Sequence, residues 1–244
     1  MADSRSYPGS IYFRQTRGLY YSYIFALPLF ILYEVSIRLS NVGRDEMVRI
    51  SVDIWFQTLF SWLGFDALTA TIGLALLVGA VIIFRQKESL PALKLRYFAY
   101  LLAESLLYAV LFAILISNFL EFILLMDIQQ NMASLSTFQL FSLSLGAGLY
   151  EELFFRVILV SALFYVSKYI FKGKKTAYTV SAIVAAVAFS GVHYIGEFAD
   201  LWTLNSFLFR FLFGLTLNVI YVVRGIGCAA WTHAIYDLIV ILNL

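Results

Sequence analysis

The chain of 244 residues is short of the groups that soluble enzymes rely on. It has one cysteine, three prolines and two histidines, and only 13% of its residues are charged. The lone Cys228 excludes an internal disulfide and a CxxC metal site. All three prolines fall within the first 91 residues, so the later helices should run without proline kinks. An ordinary soluble domain carries about 25% charged residues. No stretch here is polar enough to be one. HExxH is missing, which removes the familiar zinc-protease helix, and so is the GxSxG nucleophile elbow. Residues 1–18 carry Arg5, Arg14 and Arg17 with no apolar core between them, so the N-terminus does not read as a cleavable signal peptide.

What fills the chain is apolar. Hydrophobic residues make up 62% of it, and the mean hydropathy is +0.86. The expectation is an all-α polytopic membrane protein, one transmembrane domain over 1–244. A span needs about 20 apolar residues, and seven stretches qualify: 19–39, 67–85, 97–125, 138–168, 177–196, 204–223 and 226–243. Residues 50–64 are aromatic and amphipathic and read as an interfacial helix.

Basic residues cluster in the N-terminal segment, in the loop 85–96 and in the loop 168–175, whereas 126–137 has only Asp127 and 197–203 only Glu197 and Asp200. The positive-inside rule then predicts a cytoplasmic N-terminus and an external C-terminus, in a bacterial-type inner (plasma) membrane. The surrounding partner is lipid. A net charge of +2 confined to short loops gives no reason to expect nucleic acid.

Ionisable groups inside hydrocarbon are costly, on the order of 2.5–3.5 kcal/mol each at a helix centre. This chain nevertheless places both histidines there, together with a double carboxylate. Glu151, Glu152 and Arg156 form the first constellation. In a straight α-helix Glu152 and Arg156 share a face and can pair, while Glu151 points about 100° away. Phe189 and His193, four apart, form the second, with Gly191 between them to admit a neighbouring helix. His233 and Asp237, again four apart, form the third. Each constellation alone could be a structural pair or a satisfied core histidine. Three in sequence order on separate spans point to a shared site. Arg210 could snorkel, pair with an acid or bind an anion, Asn218 could line the cavity, and Glu34, Glu104 and Glu121 read as interfacial.

A buried carboxylate without a full partner suits general-base work. A carboxylate and a histidine facing one water can strip its proton, and a second histidine can stabilise the resulting oxyanion. Peptide hydrolysis matches these parts. The same Glu151, His193 and His233 could instead hold one divalent metal such as zinc. Spacing leaves the metal-held and the metal-free water both open. A proton-coupled transporter and a non-catalytic membrane immunity or chaperone protein are the competing classes. The transporter predicts inverted repeats or broken helices, which the sequence does not show.

At these residues the chain resembles the CAAX-processing and bacteriocin-processing intramembrane proteases, the CPBP or Abi family. EELFFR at 151–156 matches EExxxR, FSGVH at 189–193 matches FxxxH, and HAIYD at 233–237 resembles HxxxN or HxxxD. The resemblance covers 138–243. It implies an intramembrane endopeptidase acting on a peptide or a lipid-anchored protein. Glu151 would be the general base with His193, Glu152 and Arg156 would support that helix, and His233 with Asp237 would bind the oxyanion or complete a metal site. Relatives with Asn at the last position have a better oxyanion donor, so Asp237 reads rather as an orienter of His233 or as a ligand.

One expectation conflicts with the rest. In upright helices His193 would lie about 24 Å from the cytoplasmic side and His233 only about 10 Å.

Overall fold

A computed structural model describes residues 8–43, 47–88, 90–120, 135–196 and 199–242. Arg5, Arg44, Asp45, Glu46, Glu121, Asp127 and Glu197 lie outside them. Among the described residues there are helices and no strands, as the hydropathy pattern requires. The helices are α1 (Pro8–Thr16), α2 (Leu19–Ser40), α3 (Ser51–Trp62), α4 (Ala67–Gln86), α5 (Leu95–Leu120), α6 (Thr137–Ile170), α7 (Lys174–Val192), α8 (Leu204–Arg224) and α9 (Ile226–Leu242).

The ends are set by local chemistry. Asp66 caps α4 by accepting from the Thr69 N–H at 2.9 Å. Ser136 and Gln139 form a reciprocal capping box at the start of α6. Thr203 accepts from the Ser206 N–H to open α8. Between α8 and α9 the chain reverses at Gly225, whose φ of 87° lies in the left-handed region that favours glycine.

Six helices (α2, α4, α5, α6, α7 and α8) are long and apolar enough to cross a membrane. The seventh expected span, α9, has 17 residues and falls short of them in length. Its surroundings explain why it need not match them. Gly227, Cys228, Ala229, Ala230, Thr232, His233, Ala234 and Tyr236 are all buried, so α9 is a core helix packed on α2, α5, α6 and α8 rather than a lipid-facing one. Its small residues let neighbouring backbones approach closely. The Trp231 indole N–H donates to the Phe25 carbonyl at 2.8 Å and ties it to α2.

The helix α6 departs from α geometry where the site lies. Ala147–Glu151 and Leu153–Leu159 are π-helical. Such wide turns are rare and recur at functional sites. Gly148 lies in the first of them, and a Cβ there would come within 2.5 Å of the Ala230 carbonyl oxygen, so the bare glycine permits the contact with α9. The expected role of Gly191 in admitting a neighbour is not found: a Cβ there would meet nothing within 4 Å. The close approach between α7 and α8 occurs instead at Gly214, where a Cβ would lie 3.0 Å from the Phe189 ring.

Away from the site, a second buried pair holds the bundle together. Arg224 Nε donates to Glu104 Oε2 at 2.7 Å, and its Nη2 donates to Thr16 Oγ1 at 3.0 Å. The guanidinium lies 4.5 Å from the centre of the Phe13 ring. One arginine thus joins α1, α5 and α8, with Glu104 as its ion-pair partner.

Candidate active site

The two carboxylates of the EExxxR motif point in different directions. Glu152 is fully buried behind the cavity, and its Oε1 lies 3.0 Å from Arg156 Nη1. Arg156 stacks its guanidinium 4.6 Å from the centre of the Phe189 ring, and its Nη2 donates to the Gly214 carbonyl at 3.4 Å. The same Glu152 oxygen is 2.8 Å from His233 Nδ1. A carboxylate paired with arginine accepts, so Nδ1–H donates and Nε2 is left to face the cavity.

Glu151 turns the other way and lines that cavity. Its Oε2 has no hydrogen-bond partner among the described residues and stands 4.0 Å from His233 Nε2. Asp237 Oδ2 is 3.6 Å from the same nitrogen. The cavity has a volume of about 280 Å³. Glu151, His193, His233 and Asp237 all line it, whereas Glu152 and Arg156 do not. The helix therefore presents one carboxylate to the cavity and braces the histidine with the other.

Both histidines nevertheless line one cavity in the structure. His193 follows the last residue of α7, but its ring folds back along the helix, as side chains on a helix do. Its Nδ1 lies 2.8 Å from the Phe189 carbonyl oxygen, which can only accept, so Nδ1 carries a proton. The Phe189 ring then lies between the two histidines, 5.1 Å from His193 and 5.9 Å from His233, centre to centre. Phe213 closes the far side of His233 at 4.9 Å.

Two arginines complete the cavity wall. Arg210 pairs with Asp200 and bonds Ser206, and its Nη1 donates to the Tyr194 hydroxyl at 3.2 Å. Pairing with an acid is thus the alternative it takes. Arg49, just before α3, had no motif to announce it. It pairs with Asp53 at 2.7 Å. Tyr236 also lines the cavity, and its only sequence signal is its place beside Asp237. Asn218 does not line the cavity. It donates to the Ala182 carbonyl at 3.1 Å and joins α8 to α7.

Among the described residues no three of His, Cys, Asp and Glu are grouped closely enough to hold an ion.

The model of the Rce1-like family, type II CAAX prenyl endopeptidases, matches residues 133–239. All three motifs lie inside the match, and over that stretch the resemblance to the CPBP family is shown. It supports an intramembrane endopeptidase in general. Together with the apolar helices it marks an integral membrane protein. No curated protein and no solved structure matches the chain.

Proposed function

We propose that the protein hydrolyses a peptide bond of a membrane-anchored substrate, with water activated by Glu151 and His193. The observation that carries this is the convergence of Glu151, His193, His233 and Asp237 on one cavity from three helices. His193 Nδ1–H is committed to the Phe189 carbonyl, so its Nε2 can accept a hydrogen bond from water and orient it. Glu151 takes the proton as the water oxygen bonds to the carbonyl carbon. His233 acts as the imidazolium: its Nδ1–H is held by Glu152, and its Nε2–H donates to the oxyanion. Asp237 Oδ2, 3.6 Å from Nε2, favours the imidazolium, in which both ring nitrogens carry a proton. The C–N bond then breaks, and Glu151 returns its proton to the leaving amine. Each side chain ends as it began.

This scheme routes no step through a metal. In the membrane the N-terminus would be cytoplasmic, following the basic loops.

The test is cleavage of a lipid-anchored peptide in detergent, with products identified by mass spectrometry. His193→Ala and His233→Ala should each fold and each fail to cleave. A chain that folds, reconstitutes and cleaves nothing, or either variant cleaving at the wild-type rate, overturns the reading.

A further inference from the structure

Tyr150, the residue before Glu151, points away from the cavity into a polar cluster built by α2 and α3. Its hydroxyl donates to Glu34 Oε1 at 2.8 Å. Its ring packs against Tyr33 at 5.3 Å and Phe56 at 6.0 Å, centre to centre. Glu34 also pairs with Arg38 and lies 3.9 Å from Arg49. Arg49 pairs with Asp53, which accepts from Tyr33 at 2.5 Å and from Gln57 at 2.9 Å. Every charged group facing Tyr150 is therefore already satisfied, and Glu34 holds the hydroxyl in a fixed place.

That place matters because Tyr150 and Glu151 are the last two residues of the first π-helical segment. A π turn has poorer intrinsic geometry than an α turn and persists only where its surroundings hold it. Successive side chains diverge around the helix, so anchoring Tyr150 on α2 sets the direction in which Glu151 leaves the backbone. Glu34, Arg49 and Asp53 all lie outside the matched residues 133–239.

We propose that Tyr150 and Glu34 are positioning residues for Glu151, so that the N-terminal helices aim the carboxylate of a catalytic core they do not belong to. Only the kinetic arm of the test rests on the endopeptidase reading.

The first arm needs no substrate. In a Cys228→Ala, Glu151→Cys background the thiol at position 151 is the only one in the chain. Its reaction rate with a charged methanethiosulfonate reports how steadily that position faces the cavity. Adding Tyr150→Phe or Glu34→Ala should slow labelling about threefold or more, the change expected when one side-chain direction is shared among three. Glu34→Gln keeps an oxygen for the hydroxyl and should label at the background rate. The second arm measures peptide cleavage by the chain with its native Glu151. Tyr150→Phe should lower kcat between about 10- and 100-fold with KM unchanged. Glu34→Gln should rescue. Equal labelling rates in all variants, or Tyr150→Phe with wild-type kcat in a chain that cleaves, overturn the proposal. Slowed labelling in a chain whose native form cleaves nothing sinks the endopeptidase reading and leaves the positioning role standing.

Discussion

His233 Nδ1 lies 2.8 Å from Glu152 Oε1, an oxygen that also lies 3.0 Å from Arg156 Nη1. One buried carboxylate thus joins the structural arginine of the first motif to the histidine of the third. Removing its charge should have two effects. Glu152→Gln leaves Arg156 uncompensated in the interior, which costs about 3–5 kcal/mol. It also takes the negative charge away from the His233 ring that Glu152 supports, leaving only a neutral acceptor for Nδ1–H. The expected result is a lower melting temperature in detergent together with lower turnover per folded molecule. A variant as stable as wild type would show that the pair is not holding the helix.

The bare backbone at Gly148 makes an opposite pair with Gly191. A Cβ at position 148 would lie 2.5 Å from the Ala230 carbonyl oxygen, whereas one at position 191 meets nothing within 4 Å. Gly148→Ala should destabilise by about 1–3 kcal/mol through overpacking. Gly191→Ala should stay within about 0.5 kcal/mol of wild type. Thermal unfolding of the two variants side by side checks this, and equal melting temperatures would contradict it.

Arg224 and Glu104 offer a control away from the cavity. Glu104→Ala strands a buried guanidinium, so stability should fall by about 3–5 kcal/mol. The cavity lined by Glu151 has no residue in common with this cluster. Cleavage per folded molecule, measured at a temperature where the variant is folded, should therefore match wild type.

The proposed activation of water by Glu151 and His193 needs no ion. Prolonged treatment with a strong chelator should leave turnover unchanged. Loss of activity that added zinc restores would replace the scheme with a metal-held water.

The bundle was largely legible from hydropathy, because each span is a local property of its own twenty or so residues. The ends of α2, α4 and α8 fall within a residue of expectation. The three motifs also found each other, since each pair four apart shares a helix face. What local spacing cannot show is what the other helices contribute. Glu34 read as interfacial because it lies near a span end, and only the fold brings Tyr150 to it from 116 residues away. Arg49 sits in a short connecting segment with no periodicity to reveal a cavity wall. The π-helical turns were invisible for a related reason: α2, α3 and α9 pack against the first of them, and none of those neighbours can be read from the local sequence. Counting residues along upright helices set the two histidines at different depths, whereas the packed helices bring both to one cavity.

The central claim is that Glu151 is the base of a site shared by three helices. Replacing it by the isosteric amide removes the base and little else, because Glu151 makes no buried ion pair with Arg156. Steady-state cleavage of a lipid-anchored peptide by purified Glu151→Gln tests this most directly. The account predicts kcat/KM lower by about 10²–10⁴-fold with an unchanged melting temperature. Cleavage at the wild-type rate by that variant would contradict it.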